Sequence, residues 1–340
     1  MKHCYYLLLL LLIMLFAGTS LRAQDIHFSQ FYAHPLALNP TLAGYSEGDY
    51  RLAAIYRNQW NTVATPFETY GASFDSRIPL KKVKEDVFGA GISIINDKAG
   101  AQGLKLFTGS LSVAYHKQLG KKQKQYLGLG LQLSYTQRSI DYQALRFPSQ
   151  YDGATINPAN PSGENVGQNI TMFDMNAGLF YSGRLSERVG IFNGLVVSHL
   201  LRPKESFIND DDARLQMKYT IHGGARIRVG KRWHLTPNYI VMLQNKAREI
   251  NVGSAVEYQL GPVQKGVILS IGGWYRIKDS GIVSAGAEFK RIRLGLSYDI
   301  ASSSLQQVPK VTSGFEISLI YTGLFAKNTS GPILVPCPRL

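Results

Sequence analysis

Two places in this sequence set chemically capable side chains next to each other. Ser198-His199 puts a hydroxyl beside a base, the beginning of an acyl-transfer centre, and Asp210-Asp211-Asp212 gathers three carboxylates of the kind a hard cation favours. His27, His34, His116, His199, His222 and His234 add further bases or ligands. Spacing argues against all of them. Adjacent side chains on a strand point to opposite faces, so an extended backbone separates Ser198 from His199. The acidic run lacks the alternation of a calcium loop and reads as solvated. The histidines form no His-x-x-x-His pair, no Cys-x-x-Cys accompanies them, and neither a Gly-x-Ser-x-Gly elbow nor a Gly-Lys-Ser/Thr phosphate loop occurs. The expectation is a protein without catalytic residues, metal or cofactor.

Composition narrows the class. The 340 residues include 37 Lys and Arg against 23 Asp and Glu, a net charge of +14, with 11% aromatic and 18% charged residues. A mean hydropathy of -0.08 excludes both a disordered chain and a helical membrane bundle. The basic balance invites comparison with nucleic-acid binders. Its Lys and Arg, however, fall in short turns and at alternate positions, not in a stripe interleaved with stacking aromatics, so no nucleic-acid partner is expected.

Met1-Lys2-His3, the apolar run from Cys4 to Ala17 and the small residue Ala23 together read as a secretory leader over 1–23, cleaved ahead of Gln24. The run is shorter than the ~20 apolar residues a spanning helix needs. Cys4 leaves with the leader, so Cys337 is the remaining thiol and no internal disulfide forms. No later stretch reaches the length of a membrane helix, so membrane insertion has to be by strands.

The elements that would hold any function are strands. Leu127, Leu129, Leu131, Leu133 and Tyr135 share one face, while Gly128, Gly130, Gln132, Ser134, Thr136 and Arg138 share the other. The same period of two recurs in segments near 49–60, 67–79, 86–98, 104–119, 125–140, 172–184, 188–201, 215–229, 232–245, 248–260, 266–278, 281–290, 291–302 and 313–325. These fourteen predict an all-β fold, a transmembrane antiparallel β-barrel. An even number closes the sheet with both chain ends on one side. The layout is then a leader over 1–23, a periplasmic N-terminal segment over 24–48, a barrel over 49–325 and a periplasmic tail over 326–340.

Loop lengths alternate as a barrel of this type requires. Asp141 to Thr171, Arg202 to Gln216 and Ser303 to Thr312 are long and polar, whereas the opposite turns are short and basic. Those turns carry Lys81, Lys82 and Lys84; Lys121, Lys122 and Lys124; Arg184 and Arg188; Lys231 and Arg232; Lys265; and Lys290 and Arg291. Clustered like charge steers an oppositely charged partner. Lys81, Lys82, Lys84, Lys121, Lys122, Lys124, Lys231, Arg232, Lys290 and Arg291 are therefore the candidate partner-binding residues, on a rim expected to face the periplasm.

The inward face gathers Arg57, Arg138, Arg226, Arg228, Arg276, His116 and His222 with Asp174, Glu288, Asp299 and Glu316. Such charges require a wet lumen or mutual pairing. Asp25 to Gly44 is too polar and too broken by proline for a wall strand, and is expected at the periplasmic mouth or inside the lumen.

Gln24-Asp25-Ile26-His27-Phe28-Ser29-Gln30-Phe31-Tyr32, Pro35, Leu36, Asn39-Pro40, Ala43-Gly44 and Arg57-Asn58-Gln59-Trp60 resemble the PorP/SprF family of outer-membrane proteins from type IX secretion and gliding machinery. Pro66-Phe67, Ser73-Phe74-Asp75, Gly89-Ala90-Gly91, Asn96-Asp97 and Cys337-Pro338-Arg339 extend the likeness across nearly the whole mature chain. The resemblance implies a non-enzymatic component embedded in outer-membrane lipid. It implies contact with secretion subunits on the periplasmic side and help in carrying adhesins or other cargo. A passive or substrate-specific channel is the other reading that a polar lumen permits.

Overall fold

In the computed structural model the alternation becomes the two faces of one closed sheet. The structure describes residues 25–59, 66–79, 85–100, 103–120, 125–142, 145–157, 159–164, 167–208, 210–262, 266–301 and 314–325. The leader, the tail over 326–340, Lys265 and the turns bearing Lys81, Lys82, Lys84, Lys121, Lys122 and Lys124 lie outside the described residues.

The strands are β1 (Tyr50–Gln59), β2 (Phe67–Ile78), β3 (Val87–Ala99), β4 (Leu104–Gln118), β5 (Tyr126–Ser139), β6 (Asn169–Arg184) and β7 (Val189–Ser198). They continue as β8 (Lys218–Arg228), β9 (Trp233–Gln244), β10 (Ala247–Leu260), β11 (Val267–Arg276), β12 (Ser280–Phe289), β13 (Ile292–Ala301) and β14 (Phe315–Gly323). Each pairs antiparallel with the next, and β1 with β14 closes the barrel. Closure leaves no edge to aggregate or to stand unpaired in hydrocarbon. Three strands depart from expectation by three residues at one end: β6 begins early, at Asn169, because Ser139 still pairs with Asn169 above the periodic part of the sequence, while β7 ends early at Ser198 and β8 begins late at Lys218.

Leu111, Leu129, Leu131, Leu133, Phe173 and Ile271 stand exposed on the outer face, an apolar belt suited to lipid. Inward positions are polar yet buried, among them Ser112, His116, Gln132, His222 and Glu316. Water alone does not explain that burial. Residues 25–49 fold inside the barrel, so of the two places expected for this segment it takes the lumen and does not form a separate part outside the mouth. Phe31–Ala33, Pro35–Leu38 and Pro40–Leu42 make three short helical turns across it. Pro35 and Pro40 start two of these turns, where the missing N–H costs nothing, and Asn39 Oδ1 caps the third by accepting from the Thr41 N–H at 2.9 Å.

Apolar side chains of the plug meet an inward apolar patch. Phe31, Leu38, Leu42 and Tyr45 pack with Phe180, Phe192, Ile240 and Trp274 of the wall. The barrel's core is thus the contact between plug and wall.

Leu131→Arg, near the middle of β5, should cost about 2–4 kcal/mol of stability. Glu187→Arg in the exposed β6–β7 turn should change it by less than about 0.5 kcal/mol. Urea titration of the protein refolded into lipid vesicles measures both, and equal effects would contradict the membrane belt.

Candidate functional site: the occupied lumen

The plug starts near the end of the barrel that carries the long loops. Asp25 Oδ2 lies 2.6 Å from His199 Nε2 and 2.6 Å from Lys218 Nζ, while His199 Nδ1 lies 2.5 Å from Asp174 Oδ2. His199 reaches this position because β7 ends at Ser198 and its own backbone turns left-handed, with φ 62°. That corrects the expectation of opposite faces: Ser198 and His199 both line the lumen. Both imidazole nitrogens face carboxylates, so neither is free to take a proton from Ser198. Burial opposes charge on His199, yet the bonds to Asp174 and Asp25 win and raise its pKa. Burial likewise opposes the Asp25 carboxylate, and Lys218 with His199 overcomes it and holds it well below the usual carboxylate range.

Next along the plug comes a set of buried charges. Glu316 accepts the Ser29 N–H at 2.7 Å and the Gln30 N–H at 2.7 Å, one on each oxygen. Arg57 Nη1 donates to Glu316 at 2.8 Å and to the His27 carbonyl at 2.7 Å. Arg276 Nη2 donates to Ser29 Oγ at 2.8 Å, and that hydroxyl donates to Asp299 at 2.6 Å. Glu249 stands 3.2 Å from His27 and 3.3 Å from Arg276. Pairing is therefore the answer for these inward charges, and the plug supplies the missing hydrogen bonds. Elsewhere Arg226 pairs with Glu257 at 2.8 Å, Arg293 with Glu288 at 3.0 Å, and Arg138 with Glu205 of a long loop.

Farther down, the histidines bind plug backbone and amide. His116 Nε2 lies 2.7 Å from the Thr41 carbonyl, and His222 Nε2 lies 3.0 Å from Asn39 Nδ2. His34, within the plug, accepts from the Ala37 N–H at 3.2 Å, and burial lowers its pKa to about 4, so it is neutral. Arg51 pairs with Asp75 at 2.9 Å, and Asp75 accepts the Gly44 N–H at 2.9 Å. The Tyr45 hydroxyl meets Ser182 near the short-turn mouth.

Glycines give the plug its bed. Gly89 lies against Ala43 and Gly44, Gly91 against Leu36, Gly128 and Gly130 against Thr41, and Gly178 against Asn39. A Cβ at Gly44, where φ is +68°, would stand 2.5 Å from the Cα of Gly89, so wall and plug approach backbone to backbone. Ser29, Gln30, Asn39, Thr41 and Glu249 were not singled out in the sequence as anchors. Their one signal was indirect: inward Arg57, Arg276, Asp299 and Glu316 on facing strands require partners.

Above the plug, toward the long loops, lies a chamber of about 490 Å³ lined by Phe67, Leu104 and Leu106 on one side and Gln132, Ser134 and Thr136 on another. At the opposite end, Lys231 and Arg232 occupy the β8–β9 turn and Lys290 and Arg291 the β12–β13 turn, all exposed. Lys290 Nζ sits 5.1 Å over the Phe289 ring. The other six candidate partner-binding residues lie outside the described residues.

Arg57→Ala leaves Glu316 and Asp299 buried without their shared cation and should cost about 3–5 kcal/mol, read from urea titration. For His199 the raised pKa sets the sign: its stabilisation is fully present below the ordinary imidazole range and is lost as pH rises through the raised value. The gap in thermal stability between the wild type and His199→Gln should therefore narrow as pH rises. A gap independent of pH would contradict the charged bridge.

Comparison with known proteins agrees with this architecture. The toluene transporter TodX of Pseudomonas putida is similar in structure, with a TM-score of 0.54 and 11% identity, over 87% of this chain and 93% of that one. A FadL homologue of Pseudomonas aeruginosa is similar with a TM-score of 0.50 and 11% identity, over 90% of this chain and 96% of that one. At these identities the likeness shows the fold, that of outer-membrane barrels. No curated protein matches the chain by sequence. The model of the family "Type IX secretion system membrane protein PorP/SprF" matches residues 20–321, and the chain belongs to that family.

Proposed function

We propose that this protein is a non-enzymatic outer-membrane component of type IX secretion that supports the secretion or surface anchoring of cargo such as adhesins through contacts with periplasmic subunits. One observation carries the reading: below the chamber the lumen is closed by residues 25–49, tied to β1, β8, β10, β13 and β14 by hydrogen bonds and ion pairs to Arg57, Lys218, Glu249, Asp299 and Glu316. A barrel so closed serves as a scaffold in lipid. A leader over 1–23 would deliver it, and the short basic turns would face the periplasm and attract an anionic partner surface. Gliding machinery is a natural setting for such an anchor.

A channel is the second reading. It is favoured by the chamber of about 490 Å³ and by the solved structure described as a toluene transporter. Conductance separates the two: the wild type reconstituted in planar bilayers should pass no steady current, and steady channels would favour the second reading.

The scaffold reading has its own test. Reversing Lys231, Arg232, Lys290 and Arg291 to Glu should lower recovery of periplasmic secretion subunits with the tagged barrel by about tenfold, equivalent to ~1.4 kcal/mol. The amount of inserted barrel should not change. Unchanged recovery would remove these turns from the contact.

A further inference from the structure

The lipid-facing wall is not uniformly padded. Around the closing seam a recess of about 500 Å³ opens on the outer face, lined by Ala54, Tyr56, Tyr70, Ala72, Ile94 and Leu319 among others. Register explains it. Ala54 lies directly opposite Ala72, so two methyl groups stand side by side where the flanking outward pairs of the same strands are Leu52 with Phe74 and Tyr56 with Tyr70. Leu319 opposite Ala54 and Ile94 opposite Ala72 form its flanks. One step toward the long loops, Tyr56 lies opposite Tyr70 with ring centroids 4.9 Å apart, an aromatic ledge over the alanine floor.

Nothing in this recess asks for a protein partner. The Tyr56 hydroxyl already donates to Glu68 at 3.2 Å and accepts from Asn58 at 3.1 Å. What remains is hydrocarbon surface, which a flexible apolar chain fills better than a rigid wall.

The rim above carries charge. Asn96 lies opposite Phe107, and beyond them Lys98 lies opposite Lys105 on neighbouring strands, both side chains exposed on the outer face. Like charges placed directly opposite on a sheet repel each other. Glu68 lies directly opposite Lys98 on β2. A paired ammonium group at the membrane interface, set above an apolar slot, matches a phosphate over an acyl chain.

We infer that this recess binds an anionic, phosphate-bearing membrane lipid, with one acyl chain against Ala54 and Ala72 and the phosphate between Lys98 and Lys105. The site is separate from the lumen and from the basic turns. Only the choice of leaflet rests on the orientation proposed above, which places the long loops outside and makes lipid A the occupant.

The test is native mass spectrometry of the purified full-length barrel mixed with lipid A, phosphatidylglycerol or phosphatidylcholine. Wild type should retain lipid A at least about tenfold more than phosphatidylcholine. Ala54→Leu with Ala72→Leu fills the slot, and Lys98→Gln with Lys105→Gln removes the phosphate clamp; each pair should lower retention by about tenfold. Both leave the outer face compatible with lipid, and unchanged heat-modifiable migration on gels verifies that the barrel still folds. Equal retention by wild type and both double variants, or equal retention of phosphatidylcholine, overturns the site. Preference for phosphatidylglycerol over lipid A, still lost in both variants, upholds an anionic-lipid site and reverses the proposed orientation, so the two failures are distinguishable.

Discussion

The rest of the molecule depends on Glu316 being satisfied. A carboxylate sealed inside a barrel is costly unless a cation and hydrogen-bond donors meet it, and here Arg57 supplies the one and the Ser29 and Gln30 amides the other. Arg57 stands on β1 and lies directly opposite Glu316 on β14. The pair therefore bridges the seam where the sheet closes, and the plug clasps that seam from within. Asp299 and Arg276 repeat the arrangement on β13 and β11 through the hydroxyl of Ser29.

The wall and its lining form a single cooperative unit. Inward glycines let the plug backbone approach, and inward histidines meet it with hydrogen bonds to Thr41 and Asn39. Phe180, Phe192 and Trp274 add the apolar contact that a purely polar lumen would lack. This is why Gly-x-Gly recurs in the strands: at Gly89 and Gly91, and again at Gly128 and Gly130, successive inward positions have to be empty for a second layer to fit.

The wall was legible in the sequence because its rule is local. A period of two reports which face each residue takes, and Leu129, Leu131 and Leu133 against Gly128, Gly130 and Gln132 needed no knowledge of partners. The path of the plug was not legible beyond its two allowed places, since Ser29 and Glu316 meet across 287 positions and no pattern near Ser29 announces it. His199 was misplaced for a related reason. Its left-handed backbone at the end of β7 belongs to a residue type not reserved for turns, so alternation was carried one position too far. The recess beside Ala54 and Ala72 also stayed hidden, because two alanines eighteen positions apart become neighbours only through register.

The clasp on the seam has a kinetic meaning. Parting β1 from β14 is the natural first step in opening any such barrel, because it separates the two ends of the sheet. Here that step must at once expose Glu316, strip Arg57 of its partner and pull the Ser29–Gln30 backbone from its acceptors. Contacts made this late in the chain are of long sequence separation and contribute to the native state more than to any early folding nucleus. By that argument the clasp acts chiefly on the rate of loss, raising the barrier to parting the seam more than it speeds the barrel's formation.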